Sequence, residues 1–107
     1  MFDGTYEVNA MNLKSNEVLL TGKFVALNGQ VKADETALRI KHLTTNVLLK
    51  VATSDDGWAS LYKDPNDNRL WELTYLNSGM HGGGEPLLAI VSLEQAMSKY
   101  RGFVAKQ

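Results

Sequence analysis

The stretch Trp58–Leu88, WASLYKDPNDNRLWELTYLNSGMHGGGEPLL, decides how the chain is read. It holds both tryptophans, both prolines and the run Gly82-Gly83-Gly84. Trp71, Leu73 and Tyr75 alternate with Glu72 and Thr74, the period of two of a half-buried strand. Trp58 to Tyr62 is a second short apolar segment. Between the two lies Asp64-Pro65-Asn66-Asp67-Asn68, which has the chemistry of a turn. Pro65 fixes φ at the first central position, and the Asx side chains bond neighbouring backbone. A β-hairpin is the expectation. The three glycines then permit backbone angles closed to other residues, and Pro86 opens a new apolar run.

Upstream, Val18 to Leu27 is β-rich and reads as one strand. Asn28-Gly29 is the strongest short hairpin signal, and Gln30 to Lys32 is the returning strand. Gly22 within the first strand predicts a bulge or a close neighbour. Asp34 is placed as an N-cap, with Glu35 in the first turn complementing the helix dipole. Leu38, Ile40, Leu43, Val47, Leu48 and Val51 recur at three- and four-residue spacing, predicting a helix over 35–51. Thr53-Ser54-Asp55-Asp56-Gly57 ends it. Phe2, Tyr6 and Val8 form either a short strand or an N-terminal arm.

Downstream, Pro86 to Val91 is a continuous apolar run of strand length, as in a central strand. Ser92 with Gln95 three residues on has the pattern of a capping box. Leu93, Ala96, Met97 and Tyr100 mark a closing helix, which Gly102 stops. The order ββ-α-ββ-β-α predicts an α+β fold: a mainly antiparallel sheet of about five strands packed by two helices. A length of 107 residues fits one domain spanning residues 1–107, with a sizeable core.

There is no cysteine, which excludes disulfides and thiolate metal sites. The N-terminus is too polar for a signal peptide, and no run reaches membrane-spanning length. The expectation is a soluble, cytoplasmic protein. The net charge of −1 is unevenly spread. Over residues 51–86, Lys63 and Arg69 face Asp55, Asp56, Asp64, Asp67, Glu72 and Glu85, a local charge of −4. Such a region repels phosphate backbones and attracts basic proteins, or it is simply a solvated face.

Catalytic motifs are sparse. His81-Gly82-Gly83-Gly84 is similar to the oxyanion loop of lipases, yet no Gly-x-Ser-x-Gly elbow accompanies it. The glycines also lack the lysine and helix of a phosphate loop. His42 and His81 are the histidines, far apart in sequence, so no metal cluster is predicted. Asp64 and Asp67 lack the spacing of a calcium loop, and an Asp67/Glu72 dyad has no evident sugar cleft. No catalytic residue, metal or cofactor is assigned. Trp58, Tyr62, Trp71 and Tyr75 serve either as core or as an exposed anchor for a partner, with core the default for Trp71 and Tyr75.

One longer pattern remains. Trp58, Leu61, Tyr62, Asp64, Pro65, Asp67, Arg69 and Trp71 to Tyr75, followed by Ser78, Met80, His81 and Gly82 to Gly84, resemble immunity protein family 27 of bacterial polymorphic toxin systems. The resemblance extends upstream to Thr21-Gly22-Lys23 and Ala33-Asp34-Glu35-Thr36, and downstream to Ser92. The chain departs from the pattern at Leu76 and at Glu85-Pro86, where the family commonly has prolines. The resemblance implies a non-enzymatic inhibitor that protects its producer by occluding one cognate toxin domain, commonly carried on a Rhs-type effector. The partner would then be a protein, with no nucleic acid, membrane or small-molecule substrate. Asp55, Asp56, Asp64, Asp67, Glu72, His81 and Glu85 are the candidate toxin-binding residues, acidic groups suited to a basic cleft such as a nuclease's. Contacts could equally sit on the first helix or on Leu76 to Gly79. The alternatives are a small hydrolase using His81 and Glu85, and an interaction module unrelated to toxins.

Overall fold

Alternation along one strand sets two packed faces, and the rest of the chain covers them. The computed structural model describes residues 12–76, 84–101 and 103. The expectations for Phe2, Tyr6 and Val8, and for Gly102, lie outside those residues. The elements are β1 (Leu19–Thr21), β2 (Phe24–Leu27), β3 (Gln30–Ala33), α1 (Glu35–His42), a π-helical turn (Leu43–Val47), β4 (Leu49–Thr53), β5 (Ser60–Lys63), β6 (Leu70–Leu76), β7 (Glu85–Val91) and α2 (Leu93–Lys99). An antiparallel five-stranded sheet runs β1-β7-β6-β5-β4, and β2-β3 forms a separate two-stranded sheet. The fold is α+β.

Trp71 and Leu73 of β6 point to one face of the sheet, where they meet Leu20, Tyr62 and Leu88 beneath Ile40 of α1 and Leu43. On the other face, Leu61 packs with Ala59 under Ala96 and Tyr100 at the α2 end. Both helices begin as the sequence predicts. The Asp34 carboxylate accepts from Ala37 N at 2.8 Å, and Ser92 with Gln95 forms the reciprocal capping box. Asn28 and Gly29 both take positive φ, 53° and 80°, the pair of left-handed residues that a tight two-residue hairpin needs.

Three expectations are corrected. The strand predicted over 18–27 breaks at Gly22-Lys23, and its halves enter different sheets. Gly22 N donates to Pro86 O at 2.8 Å, and a Cβ on Gly22 would lie 2.8 Å from Ala37 Cα, so α1 packs directly onto this glycine. The helix predicted over 35–51 ends early: a π-helical turn follows, and Leu49–Thr53 is the edge strand β4. Thr44, Thr45 and Val47 are poor helix formers, and Thr44 Oγ1 donates back to Ile40 O at 2.9 Å. The residues recurring at helical spacing therefore belong to two elements. Finally, Tyr75 is not core but 42% exposed. β5 ends its pairing at Ser60 opposite Leu73, so Tyr75 extends past its neighbour on that side.

Candidate functional site

The acidic residues do not form one patch. In an antiparallel sheet, the β4–β5 turn and the start of β7 stand at one end and the β5–β6 turn at the other. Asp55, Asp56 and Glu85 are therefore separated from Asp64 and Asp67 by the length of the sheet.

At the β5–β6 end the carboxylates build structure. Asp64 is 1% exposed and accepts from Asn66 N at 2.8 Å, closing the turn that Pro65 starts. Asp67 accepts from Arg69 N and from Arg69 Nε, at 3.0 and 2.6 Å. The guanidinium so aimed donates to the carbonyls of Lys14 and Glu17, at 2.9 and 2.6 Å, and its Cζ lies 5.0 Å from the centre of the Trp71 ring. Beside it, Glu17 pairs with Arg39 through two bonds of 2.7 Å. That pairing, chiefly the Arg39 hydrogen bonds, pulls the Glu17 carboxyl down to about 2. This end is a clamp on the segment entering β1. Glu72, in mid-sheet, accepts from Tyr100 Oη at 2.6 Å and pairs with Lys99 at 2.8 Å, holding α2 to its face. Burial, and then this bond, push the Tyr100 phenol up.

The opposite end is different. Asp56 accepts from Ser54 Oγ and from Trp58 N at 2.9 Å, and these bonds, Ser54 first, lower its carboxyl below the usual range. The turn they fix, with Gly57 at φ 80°, holds Trp58 outward, 60% exposed. Asp55 beside it meets Arg101 only at 3.6 Å, with both side chains exposed. Glu85 accepts from Phe24 N at 2.9 Å, fastening the foot of the β2–β3 hairpin to β7.

Between hairpin, α1 and sheet lies an apolar groove of about 500 Å³. Phe24, Leu38, Trp58 and Tyr75 line it and are all exposed at its rim; Ile40 and Leu73 form part of its floor, and Lys41 is the charged side chain in its wall. Of the four aromatics weighed as anchors, Trp58 and Tyr75 open to solvent here, while Tyr62 and Trp71 are buried. Phe24 is not singled out in the sequence, and Leu38 reads there as part of the apolar helix face, because their exposure depends on how the hairpin and α1 meet.

His81, with Gly82 and Gly83, lies outside the described residues. His42 Nδ1 is 3.3 Å from Asn46 Nδ2. Among the described residues no group of three His, Cys, Asp or Glu side chains could hold a metal, and no helix is long and apolar enough to cross a membrane. The groove can thus bury apolar side chains, and the Asp55–Asp56 turn can meet a cation beside it. Comparison with known families finds that the model described as Immunity protein 27 matches residues 26–92. No curated protein and no solved structure matches the chain.

Proposed function

We propose, since the chain belongs to the Immunity protein 27 family, that it binds one cognate toxin domain and neutralises it by stoichiometric occlusion, without turnover. The observation that carries this reading is the exposed aromatic rim, Phe24, Trp58 and Tyr75, around an apolar groove. Large aromatic side chains held at a surface are the usual anchors of protein interfaces. Asp55 and Asp56 beside Trp58 favour a toxin with a basic face, such as a nuclease, and would speed encounter with it. Glu85 positions the hairpin, and Asp64, Asp67 and Glu72 hold the scaffold behind the contact surface. The toxin would be the C-terminal domain of a Rhs-type effector, met in the producer's cytoplasm, where a cysteine-free chain needs no oxidising conditions.

The test is co-expression. The C-terminal domain encoded beside this chain is induced in a naive bacterial host, with and without the chain, and growth and co-purification are followed. Rescue with a 1:1 complex is expected. Toxicity without rescue or complex would overturn the reading.

A further inference from the structure

The β2–β3 hairpin is a sheet of two strands, exposed over residues 24–26 and 30–32. Its register pairs Phe24 with Ala33, Val25 with Lys32 and Ala26 with Val31. Because side chains alternate along a strand, Phe24, Ala26, Val31 and Ala33 share one face. That face is wholly apolar, whereas Val25, Gln30 and Lys32 lie on the other. Val31 is 72% exposed, and Ala26 is exposed too. A two-stranded ribbon has little stability by itself, and this one is fastened at its foot. Lys23 N donates to the Asp34 carboxylate, Asp34 N to Lys23 O, and Phe24 N to Glu85 Oε2.

Phe24 and Ala33, at that foot, also line the groove. The apolar face of the hairpin and the groove are therefore one continuous surface, running from Val31 and Ala26 through Phe24 and Ala33 to Leu38, Trp58 and Tyr75.

We propose that this surface receives an amphipathic helix of the toxin domain, laid along the hairpin with its apolar stripe running into the groove. The inference rests on the immunity reading and specifies the partner's chemistry. Three features select this occupant. Two strands about 5 Å apart, with the groove wall beside them, match a helix about 10 Å across, and four residues of strand span about 13 Å, or some two and a half helical turns. An apolar face with no polar position selects side-chain packing, as in helix-in-groove recognition, over strand addition at an edge, which reads backbone. Charge sets the flank: Lys41 stands in the α1 wall, so the helix carries an acidic residue toward α1, while Asp55, 3.6 Å from Arg101, lies toward the α2 side of the sheet end.

The experiment uses the full chain and the toxin domain identified by co-expression. Ala26→Glu and Val31→Glu place charge on the apolar face; Val25→Glu places it on the opposite face as a control. All three positions are exposed, and circular dichroism melts confirm folding. Ala26→Glu and Val31→Glu are expected to weaken binding roughly tenfold or more, with Val25→Glu close to unchanged. A synthetic peptide of the toxin helix protected from hydrogen exchange in the complex should compete and gain helicity on binding. Wild-type affinity in Ala26→Glu and Val31→Glu would overturn the inference while leaving the immunity reading intact. A toxin that the wild-type chain neither binds nor rescues would overturn both. A dimer of the chain alone that Val31→Glu abolishes would assign the surface to a second copy and overturn the inference.

Discussion

Arg69 Nη1 donates to the main-chain carbonyl of Glu17 at 2.6 Å, across 52 positions of sequence. Asp67 sets the angle of the guanidinium from one side, and the Trp71 ring supports it from another. A turn residue thereby determines where the chain enters β1.

Arg69→Ala removes the bonds to Lys14 and Glu17 together with the Asp67 pair, and should cost about 2 kcal/mol in urea denaturation. Arg69→Lys should recover little of it, because an ammonium cannot reproduce the fork. A loss within about 0.5 kcal/mol for Arg69→Ala would show that the clamp contributes nothing to stability.

Gly22 takes no positive φ; its constraint is space. A methyl group there meets Ala37 Cα at 2.8 Å and Pro86 Cγ at 2.9 Å, and the backbone of α1 cannot rotate away as a side chain could. Gly22→Ala should destabilise by about 1–3 kcal/mol, the range of overpacking, seen as a lowered melting temperature. An unchanged melt would mean that α1 shifts freely.

Glu17, held at about 2 against an ordinary 4.5, makes stability depend on pH. Its folded pKa is depressed, so the unfolded chain binds the proton first on acidification. The contribution is complete above the unfolded value and is lost as pH falls from about 4.5 to about 2. Solvent screening limits it to about 1 kcal/mol. Glu17→Gln should therefore be less stable than wild type at pH 6, with the difference shrinking toward pH 2. A difference independent of pH would assign the effect to packing.

Trp58 separates binding from folding. Being mostly exposed, Trp58→Ala should change stability by no more than about 1 kcal/mol. As an interface anchor it should weaken the toxin complex by about 2 kcal/mol, roughly thirtyfold. Unchanged affinity by calorimetry would remove the groove rim from the interface.

Asp55 tests the charge. Asp55→Lys should slow association and flatten its salt dependence, leaving dissociation little altered. Asp67→Asn, at the far end of the sheet, should lower stability through Arg69 and leave the association rate unchanged. Stopped-flow rates reversed between the two variants would place the contact surface at the β5–β6 end.

Much of this fold was legible because its signals are local. Asn28-Gly29, Asp34, Pro65 and Ser92 each act on backbone within three residues, and the alternation of Trp71 and Leu73 names the buried side directly. What was missed depends on remote neighbours. Helical spacing over Leu43, Val47 and Val51 arises by coincidence from a π-helical turn and a strand, and nothing local opposes it strongly. Alternation shows which way Tyr75 points but not that β5 stops before reaching it. Negative charge counted along the sequence merged Asp55 and Asp56 with Asp64 and Asp67, although the hairpin carries the two pairs to opposite ends. The exposed face of Phe24, Ala26, Val31 and Ala33 was present in the hairpin register, concealed by reading residues 18–27 as one strand.

The strand order also bears on how the chain reaches this state. β4, β5 and β6 each pair with the next strand in sequence, so this meander closes through short loops. β1 instead pairs with β7, Leu19 lying opposite Ala89. During synthesis Leu19 leaves the ribosome well before its partner Ala89. Closing so long a loop carries a greater entropic cost than any hairpin here. Leu20 consequently lacks its sheet neighbour Leu88 until β7 arrives, so β1 can join the sheet only after the strand it pairs with has been made.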